Sequence, residues 1–155
     1  MPRGYTIAQI VLSALGVIDS GMVYLLDTHN KSVDVPCTPD GGCEKVAESA
    51  YSQVTIAGHT VEVAMIGIVG YIVLLTLAMM KAASETRRAV DLISIALTTL
   101  TFGGFLYSIY LQYQSFVIIK AHCLYCIISA SVMTALFIVS AFERRALKSS
   151  GPVAG

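Results

Sequence analysis

Two pairs of cysteines carry the chemistry that this sequence can do. Cys37 and Cys43 stand in a polar stretch, Cys-Thr-Pro-Asp-Gly-Gly-Cys, while Cys123 and Cys126 form Cys-Leu-Tyr-Cys at the head of the last apolar run. A thiolate exchanges with a disulfide that it can reach. One pair on a turn-rich arm and one at a helix mouth therefore suit a relay of electrons from soluble thiols to a lipid-soluble acceptor. On a helix, Cys123 and Cys126 at i and i+3 share a face and are near enough to bridge. A helix N-terminus favours the thiolate, the reactive form, through its unpaired N–H groups and dipole. Cys43 opens the segment after the loop and gains the same help, and His122 is placed to add positive charge or accept a proton beside Cys123.

Two duller readings compete. Two inert disulfides would staple the chain, but a bridge between residues three apart on one helix constrains almost nothing. A four-thiolate zinc site is disfavoured because the Cys-x5-Cys half departs from the usual two-to-four-residue ligand spacing, and no metal is expected.

The elements that must position these cysteines follow from composition. Hydrophobic residues make up 55% of the chain and charged residues 13%, unlike an ordinary soluble domain. The apolar stretches Tyr5–Leu26, Val61–Met80, Val90–Tyr113 and Cys123–Phe142 match the ~20 residues that cross a ~30 Å hydrocarbon core. Open backbone polar groups are not tolerated in lipid, so each is read as a helix. The first run is too long for a signal peptide and lacks a small-residue cleavage site after Leu26. The expectation is an all-α integral membrane protein: a four-transmembrane-helix bundle in a single domain over residues 1–148, with a disordered tail over 149–155. Between the first two spans, Pro36, Pro39, Asp40, Gly41 and Gly42 read as turns. Val46, Ala50 and Val54 then recur at i, i+4 and i+8, with Lys45, Ser49 and Gln53 on the other side. That pattern predicts a short amphipathic half-helix lying in the membrane interface.

Charge gives the orientation. Arg3, Lys81, Arg87, Arg88, Arg144, Arg145 and Lys148 fall on one side of the spans, and Lys31, Lys45 and Lys120 on the other. The positive-inside rule puts both termini and the 81–89 loop in the cytoplasm. Loop 27–60, connection 114–122 and all the cysteines then face the outer, oxidising side. No basic stripe points to nucleic acid.

In their order these features resemble the vitamin K epoxide reductase family in its small, stand-alone, bacterial form. The resemblance rests on Cys37 and Cys43, then Ser49 in Cys-Glu-Lys-Val-Ala-Glu-Ser, then Cys123-Leu-Tyr-Cys126, supported by Ser108-Ile-Tyr-Leu and by Gly67-Ile-Val-Gly-Tyr71. It covers the chain from Tyr5 to about Phe142. It implies a bundle around a quinone (ubiquinone, or menaquinone or vitamin K), capped by the half-helix. Cys126 would react with the quinone with Cys123 as its partner, Cys43 would shuttle electrons to Cys123, and Cys37 would exchange with the partner protein. Ser49 would sit over the ring, its hydroxyl holding a ketone oxygen whose charge grows on reduction.

Where animal members carry an Asn and a Tyr, this chain has Val63 and Ala130, which favours plain quinone reduction over epoxide reduction. No thioredoxin-like domain follows Phe142, so the expected partner is a DsbA-like or thioredoxin-like extracytoplasmic protein acting in trans, at a bacterial inner membrane. The function is then DsbB-like, although DsbB itself carries its Cys-x-x-C in the first outer loop. The rival functions are a vitamin K quinone or epoxide reductase and a non-catalytic, disulfide-stapled scaffold.

Other polar residues are weaker signals. Asp19 lies about two turns inside the first span, and an intramembrane carboxylate is a candidate for proton handling; an interhelical hydrogen bond is the plainer reading. Glu62 and His59 sit at the outer end of the second span, where charge is ordinary. Tyr107, Tyr110 and Tyr113 suit an aromatic belt, with one of them in reach of a quinone pocket. Gly67, Gly70, Gly103 and Gly104 suit close helix packing.

Overall fold

A computed structural model describes residues 3–28, 49, 53–56, 58–120 and 122–149. Helix α1 spans Arg3–Thr28, α2 Val63–Ala83, α3 Arg87–Tyr113 and α4 Leu124–Ser149. All 4 are long and apolar enough to cross a membrane, so the four-helix membrane bundle expected from the sequence is present. The helices form a ring in which α1 packs on α2 and α4, α3 on α4, and α2 more lightly on α3.

The packing is inverted relative to a water-soluble bundle. On α1, Gln9, Ser13, Asp19 and Ser20 are buried while Ile7, Val11, Leu15 and Ile18 are exposed. Apolar side chains gain nothing from hiding when the solvent is hydrocarbon, whereas polar ones must find partners inside. Many hydroxyls do so locally: Thr76, Thr98, Thr101, Ser131 and Thr134 each donate to the carbonyl four residues earlier, at 2.7–2.8 Å. A small apolar core of Tyr71, Leu74, Leu97 and Leu136 fills the middle of the ring.

The structure adds a feature absent from the sequence-based expectation. Gln53–Ile56 (β1) and His59–Glu62 (β2) pair antiparallel, with Gln53 opposite Glu62 and Ile56 opposite His59. Gly58 turns the hairpin at a φ of 84°, a conformation that suits glycine. Gln53 and Val54, assigned above to the half-helix, are therefore strand residues, and Val54, Thr55, Ile56, Thr60 and Val61 are the β-branched run that supports it. Lys45, Val46 and Ala50 lie outside the described residues. The second span begins at Val63, after the hairpin, and Ser149 belongs to α4. The rest of the tail lies outside the described residues.

After α3 the chain winds on as a π-helical segment, Gln114–Ile119, so the 114–122 connection is mostly helical. The segment closes on Lys120 in the left-handed conformation, whose N–H bonds the carbonyl of Ser115. Such segments recur near functional sites because the extra residue per turn re-aims side chains. Here it leaves Gln114 and Ser115 buried.

Candidate functional site

Cys123 lies immediately ahead of α4 and caps it. Its carbonyl accepts the N–H of Ile127 at 3.2 Å, the first bond of the helix. Its sulfur accepts the N–H of Cys126 at 3.3 Å, the role a Ser or Asp oxygen takes at most helix starts. The pair is thus not side by side on a helix face, as the spacing alone suggested; one cysteine caps the turn that carries the other. The Cys126 thiol also hydrogen-bonds to the Cys123 sulfur. That bond, with help from the N–H groups of Cys126 and Tyr125, holds the Cys123 thiol below its ordinary range, against the opposing effect of burial. Each donor stabilises a thiolate more than a thiol.

Both cysteines open on a cavity of about 430 Å³ inside the cysteine end of the bundle. Its walls come from all four helices: Val23 of α1, Val63, Ile66 and Gly67 of α2, Leu100 and Gly104 of α3, and Ala130 and Met133 of α4. A few polar groups converge on this apolar space: Asp19, Ser20, Glu62, Tyr71, Gln112, Gln114, Ser115 and Ser129. A predominantly apolar pocket of this size with a few convergent polar groups is the usual form of a small-molecule or cofactor site. The donor set suits a quinone ring: room for the ring, thiols at one wall and groups able to exchange protons with its oxygens.

Tyr71 ties the diagonal of the bundle here. Its hydroxyl donates to the Ser129 carbonyl at 3.1 Å and lies 3.1 Å from Ser129 Oγ. The ring passes so close to α1 that a Cβ on Gly16 would overlap it. Gly16 is the closest-packed described glycine, yet it belongs to no motif in the sequence. Of the glycines expected to allow close packing, Gly67 faces Ser20 and Gly104 faces Met133, while Gly70 and Gly103 have open space. Gln112 anchors the cysteine turn by donating to the Cys126 carbonyl at 3.1 Å.

The other sequence-derived candidates fall as follows. Cys37 and Cys43 lie outside the described residues. Ser49 is half-buried in a bend and is not among the described residues lining the cavity. His122 is exposed, with its ring edge-on to Phe116 at 5.0 Å. Tyr107 lines the cavity and stacks on Tyr110 with ring centres 6.3 Å apart; Tyr110 and Tyr113 face outward. Glu62, read as an ordinary end-of-helix charge, lines the cavity, as do Val63 and Ala130. Among the described residues no cluster of His, Cys, Asp and Glu could hold a metal ion.

The opposite end of the bundle holds a second buried polar cluster that the spacing did not announce. Lys81, counted above among the charges of the cytoplasmic side, is only 4% exposed. It bonds both carboxylate oxygens of Glu143, at 2.8 and 2.7 Å, and donates to Gln9 Oε1. Gln9 in turn donates to Glu143 at 3.0 Å and to Ser140 at 3.1 Å.

A four-helix membrane bundle with a dithiol at the mouth of an apolar cavity defines an integral membrane protein of the redox-active class. The chain belongs to the vitamin K epoxide reductase family, whose model matches residues 7–141. Members of this family are membrane oxidoreductases that work with quinones and thioredoxin-like partners. A comparison with curated proteins returned no match.

Proposed function

We propose that this protein is a membrane thiol:quinone oxidoreductase that supports disulfide bond formation. Electrons pass from an extracytoplasmic, thioredoxin-fold partner through Cys37 and Cys43, then through Cys123 and Cys126, to a quinone. The observation that carries this reading is the capped dithiol opening on the apolar cavity. Cys123, buried and with its thiolate favoured by the helix start, suits exchange with Cys43 arriving from the loop. Cys126, in the first turn of the spanning helix, suits transfer towards the cavity. A bound quinone takes up two electrons and two protons to become the quinol. Gln112 keeps the cysteine turn in place through the Cys126 carbonyl. The roles of Cys37, Cys43 and Ser49, the last covering the ring from the loop side, rest on the family resemblance.

The outward orientation of the cysteines rests on charge. Pairing with Glu143 withdraws Lys81 from the positive-inside count, yet Arg3, Arg87, Arg88, Arg144, Arg145 and Lys148 still outweigh Lys31, Lys45 and Lys120. Val63 and Ala130 favour quinone over epoxide reduction, because both line the cavity and neither supplies a polar group there.

The test is anaerobic quinol formation by the purified protein in bilayers, driven by a reduced DsbA-like protein, beside Cys126→Ser and Cys37→Ser. Quinol should form with the wild type and with neither variant. Absence of quinone-dependent thiol oxidation by the wild type, with both a benzoquinone and a naphthoquinone, would sink the reading in favour of a stapled scaffold. Epoxide turnover would move the second reading, a vitamin K epoxide reductase, ahead.

A further inference from the structure

Asp19 combines properties that a structural carboxylate does not need. It is 8% exposed, inside a spanning helix, and its Oδ2 has no hydrogen-bond partner among the described residues. A buried carboxylate left partly unsatisfied is costly, and an ionisable group within a membrane span is by default a functional candidate. The side chain lines the same cavity as Cys123 and Cys126. Ser129 holds it through a side-chain hydrogen bond, and Ser129 is itself held by Tyr71. One carboxylate oxygen is thus fixed by a short chain of hydroxyls, and the other is free for a ligand in the cavity.

The electron balance of the proposed reaction calls for a group of this kind. Two thiols become one disulfide and release two electrons and two protons; one quinone takes up both and becomes the quinol. The protons start on sulfur and finish on ring oxygens, so they must cross an apolar space. Serine and tyrosine hydroxyls hold their protons too tightly to donate and recover them rapidly near neutrality, whereas a carboxyl does both. Glu62 is the other carboxylate on the cavity wall, but it stands at the N-cap of α2, ahead of the span and only half-buried, whereas Asp19 is enclosed within a spanning helix.

We propose that Asp19 is the proton carrier of this cavity: it accepts a proton released from the Cys123–Cys126 dithiol as the disulfide forms and delivers it to a ring oxygen of the bound quinone, with Ser129 and Tyr71 as its positioning residues. Asp19 is protonated and deprotonated once per proton carried and ends as it began. The titratable groups that line the cavity with it are Tyr71 and Glu62 of the α2 side, Cys123, Tyr125 and Cys126 at the start of α4, and Tyr107 on α3. This inference rests on the quinone reading above.

The test uses the full chain in bilayers with dithiothreitol as reductant and a short-chain ubiquinone as acceptor. Wild type, Asp19→Asn, Asp19→Glu and Glu62→Gln are compared across pH. The proposal expects Asp19→Asn to lower kcat by about 10²-fold or more, the usual contribution of a positioned acid or base. The quinone KM should change little, the pH-dependent limb of the wild-type profile should flatten, and Asp19→Glu should recover part of the rate. Reduction of the Cys123–Cys126 disulfide by dithiothreitol, followed by thiol labelling without quinone, should proceed in Asp19→Asn as in the wild type. A carboxylic-acid carbonyl band in the oxidised-minus-reduced infrared difference spectrum should vanish in Asp19→Asn. Full-rate turnover by Asp19→Asn with an unchanged pH profile overturns the proposal, as does a pH limb lost in Glu62→Gln instead. Loss of labelling together with turnover in Asp19→Asn, without recovery by Asp19→Glu, also overturns it and makes Asp19 structural. If the wild type exchanges its disulfide yet reduces no quinone, the parent reading fails and this proposal with it. That pattern is distinct from a failure confined to Asp19→Asn.

Discussion

The two ends of the bundle bury polar groups in opposite ways. Away from the cysteines, Lys81 directs its three protons to Gln9 Oε1 and the two oxygens of Glu143, while Gln9 adds bonds to Glu143 and Ser140. No member of that cluster has an unpartnered side-chain polar atom among the described residues, although Ser13 Oγ and Ser94 Oγ, which belong neither to the cluster nor to the cavity wall, do. At the cysteine end, Asp19 Oδ2, Gln112 Oε1 and Gln114 Oε1 are buried without partners among the described residues, around a cavity of about 430 Å³. Both ends link α2 to α4 across the diagonal, Lys81 to Glu143 and Tyr71 to Ser129. The difference lies in completeness. A closed network stabilises one arrangement of helices, whereas a network with open acceptors keeps capacity for something that comes and goes.

Breaking the closed network should therefore cost the most. Glu143→Ala strands the Lys81 ammonium in the bundle, too enclosed to reach the headgroups, and stranding one half of a buried pair costs about 3–5 kcal/mol. Neutral interhelical hydrogen bonds in membranes are worth only about 0.6–2 kcal/mol, so the stranded charge decides the outcome. Thermal unfolding in bilayers or detergent should show the loss, and Lys81→Met with Glu143→Met should recover much of it by removing both charges. Equal loss in the single and double variants would mean that packing, not charge, holds this end together.

The next effect down lies at the cysteine end. A methyl group on Gly16 would overlap the Tyr71 ring, and overpacking of this kind costs about 1–3 kcal/mol. Gly16→Ala should also pull the Tyr71 hydroxyl from Ser129, so quinone turnover should fall more than stability alone explains. Gly103→Ala, with open space around the site, is the control and should be neutral or slightly stabilising, because Ala is the better helix former. If Gly16→Ala matches Gly103→Ala in both readouts, the Tyr71 clamp plays no part in the site.

How much of this was legible beforehand follows from the range of each signal. Spans are local: twenty apolar residues in lipid leave no choice but a helix, and the bundle was readable for that reason. The Cys-x-x-C pair was readable as chemistry, but its geometry was not. Spacing alone does not say that the helix starts at Leu124, which makes Cys123 the cap rather than the first member of a helix face. The hairpin leaves an ambiguous signal, because Val46, Ala50 and Val54 fit a helical period that competes with the β-branched residues flanking Gly58. The burial of Lys81 is hidden in the sequence for a physical reason. A lysine at the end of a span ordinarily reaches out to the headgroups, and its partner Glu143 stands 62 residues away. Tyr71 and Ser129 are 58 apart. Pairings of that range leave no local periodicity to read. The inward stripe Gln9, Ser13, Gly16 and Ser20 does leave one, since those residues recur at helical spacing on a face that lipid would not tolerate.

The smallest expected effect sharpens the comparison by moving one residue along α4. Arg144 follows Glu143 directly and also makes an ion pair, with Asp91 at 3.0 Å, but these side chains are 35% and 62% exposed. An exposed pair gains little, because water and salt already screen each charge and the long side chains lose freedom when held together; such pairs are worth about 0.2–1 kcal/mol. Asp91→Asn should therefore shift thermal unfolding by no more than that, and the shift should shrink as salt is raised. The loss from Glu143→Ala should persist in high salt, because ions do not reach Lys81. A large, salt-insensitive loss in Asp91→Asn would mean that the clamp extends from the bundle interior out to its surface. Enclosure would then no longer be what separates a pair that holds the helices together from one that does not.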